Sequence, residues 1–475
     1  MPLPAPPAAL DDSPAARKRE QRGWYLYDWA NSAFYTTVIS VFLGPYLISV
    51  ATTAACAKDF PTVPAAECAE RFDSLVTDQL GFVSVLGADI RPAAIWGLAT
   101  TVAVLLQIVF LPIAGALADH TGRKRELLGG FAYAGALAVL GLFFLDGDRY
   151  MLGLVLFVLA NLAYGCSVVV YDSFLPQISA PQERDRVSAQ GWAIGYIGGG
   201  LLLALNLALY LNHDALGLST SESVRISLMS SGLWWAIFTV VPLLRLRNRP
   251  VPPHETTALG SVTGSFRQLG RTLKELRRYP LTLLLLVAYL IYNDGIQTVI
   301  GHSAAFASQA LKLGTEIQII TILMVQFAAF FGALLLGRLA RVFGTKRTVL
   351  ASLVVWTGIV IAALLVQERA VLQFMLMALA IALVLGGTQA LSRSLFSQVI
   401  PKGREAEYFG LLQISDKGSA FIGNLTITLA LTLTNNYRIA IVSLIVFFVL
   451  GFVLLALTNV PKAIRDAGNE VPDKI

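Results

Sequence analysis

Carboxylates, amides, phenols and one guanidinium stand inside runs of sequence that otherwise hold few polar groups. They are Asp28, Asn31 and Tyr35; Asn161, Tyr171 and Asp172; Asn293, Asp294 and Gln297; and Gln389 and Arg393. Groups of this kind within an apolar run carry a large desolvation cost and are kept where they face a partner or a watery cavity. Their types point to binding and proton carriage. Arg393 is a candidate clamp for a carboxylate, since a guanidinium offers a bidentate fork. Asp294, near the middle of its run, is the first candidate for a proton-coupling acid, because a carboxyl group there bears its charge only at a cost and can load and release a proton. Asp28 and Asp172 fall nearer the ends of their runs, where they either couple protons or anchor a gate. Asp416 and Lys417 read as a structural pair that neutralise each other or Arg393, and His302 reads as a hydrogen-bonded packing group. The sequence offers no Ser-His-Asp, metal-ligand or nucleotide-binding arrangement at useful spacing, so neither an enzyme, a metal nor a cofactor is expected.

These groups need long apolar elements to hold them. The chain has 475 residues, 56% hydrophobic and 14% charged, with a mean hydropathy of +0.66. A soluble domain carries about 25% charged residues, so the composition is that of a polytopic membrane protein. About 20 apolar residues cross a bilayer as a helix. Twelve such runs are expected: 24–50, 92–118, 127–145, 150–177, one opening near 187, 224–244, 281–311, 316–339, 348–366, 371–399 (interrupted by Gly386 and Gly387), 405–433 and 437–460. Asp28, Asn31 and Tyr35 recur at helical spacing and share a face. Trp24, Tyr25 and Tyr27 suit an interfacial aromatic belt. Cys166 reads as packing.

The stretch 115–125 reads Gly-Ala-Leu-Ala-Asp-His-Thr-Gly-Arg-Lys-Arg and forms a polar turn between two apolar runs. Gly337, Arg341 and Gly344 repeat Gly115, Asp119 and Gly122 at a constant separation of 222 residues, followed by Lys346 and Arg347. Ser173 to Gln177 likewise aligns with Ser394 to Gln398 at an offset of 221, which matches Asp172 to Arg393. Asp28 and Asp294 are 266 apart, and the extra 44 residues are about the size of the loop 51–91. The chain thus reads as a tandem repeat with one insertion. The expected organisation is a disordered tail over 1–22, a six-helix bundle over 23–244, a basic linker over 245–280 with a short amphipathic helix over 265–278, a second bundle over 281–461 and a tail over 462–475. Basic loops fall on one side, which places both termini in the cytoplasm. The net charge of +6 is explained by those loops, so nucleic acid is not an expected partner. The loop 51–91 faces the other side, with a possible surface helix over 64–80. Cys56 and Cys68 pair if that side is oxidising, with two free thiols as the alternative.

The turn with Gly115, Asp119, Gly122, Arg123, Lys124 and Arg125 resembles the loop between helices two and three of the major facilitator superfamily; in its echo Arg341 replaces the acid. The octet Tyr-Asp-Trp-Ala-Asn-Ser-Ala-Phe at 27–34 is similar to the signature of one branch, that of the fungal autophagy-related vacuolar amino-acid effluxers and their bacterial relatives. The glycines of the fifth run resemble an antiporter motif, but Tyr196 stands where that motif has proline. The resemblance implies an all-α membrane protein with twelve transmembrane helices in two pseudo-symmetric six-helix bundles. It implies a secondary transporter of small polar solutes, amino acids first, with efflux and proton coupling as the mode. The substrate would lie between runs one, four, seven and ten, lined by Asn31, Tyr35, Asn161, Asn293, Gln297, Gln389 and Arg393, with Asp294, Asp28 and Asp172 as proton-coupling acids. The turn at Asp119 would gate the cytoplasmic side by facing a helix end or an arginine. The expected setting is a monomer in a bacterial inner membrane, exchanging a small molecule and protons. A lysolipid flippase of the same fold and a transport-inactive receptor are the alternatives.

Overall fold

In the computed structural model the described residues are 13–60, 81–250, 270, 274, 276–418 and 420–475. Among them eleven helices are long and apolar enough to cross a membrane: Pro14–Asp59, Pro92–Thr121, Lys124–Phe144, Tyr150–Ile178, Pro181–Leu211, Thr220–Arg245, Pro280–Ala310, Glu316–Phe343, Thr345–Ala362, Val371–Gln398 and Tyr437–Leu457. Glu405–Gly418 and Ala420–Thr434 lie on either side of Ser419, which is outside the described residues, and together have the length of a further span. Counted in chain order with this stretch as the eleventh, the spans number twelve. Helices suit a bilayer because each satisfies its own backbone hydrogen bonds.

Two hydrophobic cores form. One gathers buried residues between Trp24 and Leu246 together with Ala406, the other those between Leu276 and Ile464. They meet at glycines. A Cβ on Gly115 would lie 2.4 Å from the carbonyl oxygen of Ala406, and one on Gly337 would lie 2.6 Å from the Cβ of Ala189. The repeat-related glycines therefore do the same work: the second span packs on the start of the eleventh, and the eighth on the start of the fifth. Gly122 ends the second span at φ +63°, a left-handed conformation that glycine adopts without strain.

Several boundaries differ from the sequence expectation. The first helix begins at Pro14, capped by the Ser13 side chain, so 14–22 are helix where a disordered tail was expected. Glu20 in that stretch is buried against Arg249 at 2.8 Å. The first span then runs on to Asp59 through a π-helical segment, Phe34–Phe42, so part of the expected loop is helix. Beyond it lies a short antiparallel hairpin, β1 (Val83–Val85) with β2 (Ala88–Ile90). The tenth span is unbroken through Gly386 and Gly387, because the helix ladder survives wherever glycine keeps helical backbone. What those glycines provide is close approach: a Cβ on Gly387 would sit 2.3 Å from that of Leu336. The expected C-terminal tail forms a further helix, Val460–Asp466, and Asn469 then donates to the carbonyls of Gln398 and Ile400 at 2.8 and 2.7 Å. Cys56 is buried and disulfide-bonded. Cys68, the expected helix over 64–80 and most of the linker helix over 265–278 lie outside the described residues.

One end of the bundle collects the basic turns. Lys124 meets Glu405, Arg184 meets Gln398, Gln21 reaches the Ile178 carbonyl, and the last residue, Ile475, lies against Gly344. Both ends of the described chain thus share this basic face.

Candidate functional site

Arg393 is buried in the tenth span, and its charge is met by the first half of the chain. Nη1 donates to Asp172 Oδ1 at 3.0 Å, Nη2 stands 3.6 Å from Asp28 Oδ2, and Nε donates to Ser188 Oγ at 2.9 Å. The guanidinium also lies over the rings of Trp24, Trp192 and Tyr171, at 4.7, 5.5 and 5.6 Å. Trp24 and Tyr171 stack on each other at 4.4 Å, and the Tyr171 hydroxyl donates to Asp28 at 2.6 Å. Gln413 of the eleventh span donates to the other oxygen of Asp172 at 3.0 Å. A planar guanidinium can hold carboxylates at its edge and rings on its faces together, which an ammonium cannot.

The expected clamp is therefore formed, but on the chain's own carboxylates. Asp172 and Arg393 are repeat-related, and they bond directly to each other. Trp192 and Gln413 are repeat-related too (413 − 192 = 221), and each contacts one member of that pair: Trp192 lies against Arg393, and Gln413 bonds Asp172. Trp24 and Tyr27 are fully buried and Tyr25 nearly so, which corrects the reading of these three as an interfacial belt. Their rings pack inside the bundle because the stretch that bears them lies between spans four and six, away from lipid.

The Asp119 turn forms a second contact between halves. Asp119 Oδ1 meets Lys124 Nζ at 2.9 Å, and Oδ2 accepts from the backbone N–H of Glu407 at 2.9 Å, in the first turn of Glu405–Gly418. Lys124 also bonds Glu405 at 3.2 Å. Arg125 instead pairs with its neighbour Glu126, and its backbone N–H donates to Asn248. In the echo of this turn, Thr345 donates to Asp185 at the start of the fifth span.

One turn farther from the basic face lies a polar cluster. Asp416 Oδ1 accepts from Asn293 Nδ2 at 2.9 Å, from Gln297 Nε2 at 3.2 Å and from the Tyr289 hydroxyl at 3.3 Å. Gln389 Nε2 donates to Asn293 Oδ1 at 2.7 Å, which fixes the direction of the Asn293 amide. Asp294, next to Asn293, points the other way: both its oxygens lie 3.1 Å from the backbone N–H of Gly423. The carboxylate there ties the seventh span to the backbone of the eleventh.

The candidate residues divide accordingly. Asn293, Gln297 and Gln389 join Asp416; Asp28, Asp172 and Arg393 form the charged network; Asp294 stands apart. Asn31 is buried in the first span, and the backbone carbonyl of Asn161 accepts from Gln107 at 2.6 Å. His302 hydrogen-bonds Tyr437 and Asn424, both at 3.0 Å. Lys417's side chain lies outside the described positions, so its expected pairing with Asp416 is not described. Sequence reasoning missed Ser188, Trp192 and Tyr289 as members of these networks. Their only signal is helical spacing: Tyr289, Asn293 and Gln297 follow at steps of four.

The comparisons with known proteins agree with this architecture. The chain is 29% identical to the MFS-type transporter YxiO of Bacillus subtilis, over 92% of this chain and 94% of that one. It is 27% identical to autophagy-related protein 22 of Coccidioides immitis, over 96% of this chain and 89% of that one. In fold it resembles the fucose:proton symporter FucP of E. coli, with a TM-score of 0.65 at 14% identity, covering 94% of this chain and 99% of that one. It also resembles a bacterial homologue of the iron transporter ferroportin in an outward-facing state, with a TM-score of 0.62 at 14% identity, covering 93% and 98%. These relatives and neighbours are transporters, not enzymes, and the chain is an integral membrane transporter of the major facilitator type. The family model described as vacuole effluxer Atg22 like matches residues 16–468, and the chain belongs to that family.

Proposed function

We propose that the chain moves a small polar solute, amino acids first, by alternating access between its two halves, with proton-coupled efflux as the mode. One observation carries this reading: Arg393 of the second half is buried between Asp28 and Asp172 of the first, one turn below the Asp416 cluster. A charged network placed there seals one end of a central path and leaves polar groups beyond it. Gly115, Asp119, Gly122 and the cations Arg123, Lys124 and Arg125 serve as a second gate on the same face. Solute passage from the basic face requires both contacts to part. The basic face is cytoplasmic, because basic loops stay on that side of a membrane. The setting is a bacterial inner membrane; the direction is carried over from the family description of a vacuole effluxer, and the substrate class from the resemblance of the octet at 27–34.

Proton coupling acts on the seal. A proton on Asp28 or Asp172 removes one of the two charges that hold Arg393, and the halves then separate more readily. The test is uptake of pooled labelled amino acids into proteoliposomes with and without an imposed pH gradient. Gradient-driven accumulation that is lost in Asp172→Asn supports the reading. Equilibration that ignores the gradient would return the acids to a structural role, and uptake of no amino acid would move attention to lipid transport.

A further inference from the structure

We infer that a groove on the lipid-facing side of the first half holds an anionic phospholipid. Lys18, Arg22 and Arg245 take its headgroup, and Trp29, Trp234 and Phe238 line the bed of its acyl chains. The inference needs only that the chain spans a membrane, and it is independent of the solute that the protein moves.

The groove follows from the way three spans are joined. Spans five and six meet at Asn206, whose Nδ2 donates to the Ser227 carbonyl at 3.4 Å and whose Oδ1 accepts from Ser230 at 3.0 Å. Nearer the basic face the first span stands between them. Tyr25 donates to Gln190 of the fifth span at 2.7 Å, and a Cβ on Gly23 would lie 2.7 Å from the Cβ of Arg245 on the sixth. Lys18, Arg22 and Trp29 follow at steps of four and seven and share one stripe of the first helix; Trp234, Phe238 and Arg245 do the same on the sixth span. Trp29 stacks on Trp234 at 5.4 Å, and Phe238 lies against these two rings at 5.8 and 4.7 Å. Lys18 and Arg22 are exposed and the other four partly so, while Ile237 and Leu244 beside them are exposed as lipid-facing side chains are.

These three cations differ from others on the basic face. Lys124, Arg184, Arg249 and Lys346 are each engaged by carboxylates or carbonyls of the protein. Glu20 and Glu183, the acids beside this stretch of the first helix, are paired with Arg249 and Arg186. Among the described residues Lys18, Arg22 and Arg245 form no ion pair. Trp29 lies seven residues beyond Arg22, about 10 Å along the helix. Cations at the membrane surface with rings below them follow the order of a phospholipid, its phosphate at the interface and its chains deeper.

The experiment is thermal unfolding of the full chain in a neutral detergent, titrated with phosphatidylglycerol or with phosphatidylcholine of the same chains. Phosphatidylglycerol is expected to raise the midpoint at the lower concentration. In the triple variant Lys18→Gln, Arg22→Gln, Arg245→Gln its half-stabilising concentration should rise by roughly a hundred-fold, at about five-fold per cation. The double variant Lys462→Gln, Arg465→Gln, which removes exposed cations elsewhere on that face, should leave it unchanged. Glycerol phosphate, a headgroup without chains, should stabilise little. Equal effects of the two lipids, or a triple variant that keeps the preference, overturn the assignment. Glycerol phosphate acting as well as the lipid overturns it too, because the rings would then have no part. If the triple variant does not fold, Lys18→Gln alone, at an exposed position, is expected to lose about five-fold, and no loss there counts against the site.

Discussion

Arg393 illustrates how one side chain can join two halves of a membrane protein. Removing it leaves Asp172 buried and Asp28 half-buried without their cation, and breaking a buried pair in this way typically costs about 3–5 kcal/mol. Arg393→Ala is therefore expected to lower the thermal midpoint in detergent clearly. The triple change Arg393→Met, Asp28→Asn, Asp172→Asn should recover much of that stability while abolishing gradient-driven transport, because neutral groups do not miss a partner. Recovery of stability without loss of transport would show that the network is only structural. Asp294 invites a second comparison. If it acts only as an acceptor for the Gly423 N–H, Asp294→Asn should be well tolerated, since an amide oxygen can take that bond, whereas Asp294→Ala should cost about 1 kcal/mol. A proton-coupling role predicts instead that Asp294→Asn folds normally and loses its response to a pH gradient.

At the level of elements, glycine contacts decide what can move. In the eleventh span Glu405–Gly418 carries Asp416 and packs on the second span, and farther along Gly423 donates its backbone N–H to Asp294. A Cβ on Gly423 would lie 1.9 Å from Thr298 Oγ1, so the backbone of the eleventh span lies directly against side chains of the seventh. Gly423→Ala should destabilise the protein, with the loss reduced in the background Thr298→Gly, as measured by thermal unfolding. On the basic face, Gly115→Leu would drive a side chain into the Ala406 carbonyl. That change should part the second and eleventh spans and increase labelling of a cysteine introduced at Ser397 by a water-soluble maleimide added on the basic side. Unchanged labelling would remove the glycine contact from the gate.

Across the whole molecule, the repeat sets which surfaces meet. Gly115 on the start of the eleventh span and Gly337 on the start of the fifth are one contact made twice, and Asp172 bonds its own repeat mate, Arg393. Residues related in this way meet only near the axis that relates the halves, so the seal lies at the centre of the basic face. Loosening it should let the opposite face close. Spin labels at Leu211 and Leu433, exposed ends of the fifth and eleventh spans, are expected to move closer in Arg393→Ala than in wild type, as read by double electron–electron resonance. An unaltered distance distribution would argue against a rocking of the two halves.

Much of this was legible in the chain itself, for identifiable reasons. Apolar runs about 20 residues long can only be spans, the constant offset near 222 exposes the repeat, and polar groups inside spans are conspicuous because the membrane excludes them. These are local or periodic properties, so composition and spacing determine them. Tertiary structure decided the partners. Arg393 had the chemistry of a clamp, but only packing could show that it grips Asp28 and Asp172 from the other half. Asp294 and Asp416 are both carboxylates inside or near a span, and rotation about two helix axes sends one to a backbone N–H of the eleventh span and the other to a cluster of amides. Trp24 looked interfacial by its place at the start of a run, yet the helix begins ten residues earlier and carries it into the core. Rotation, depth and the pairing of distant segments depend on where other helices lie, and no window of sequence contains that information.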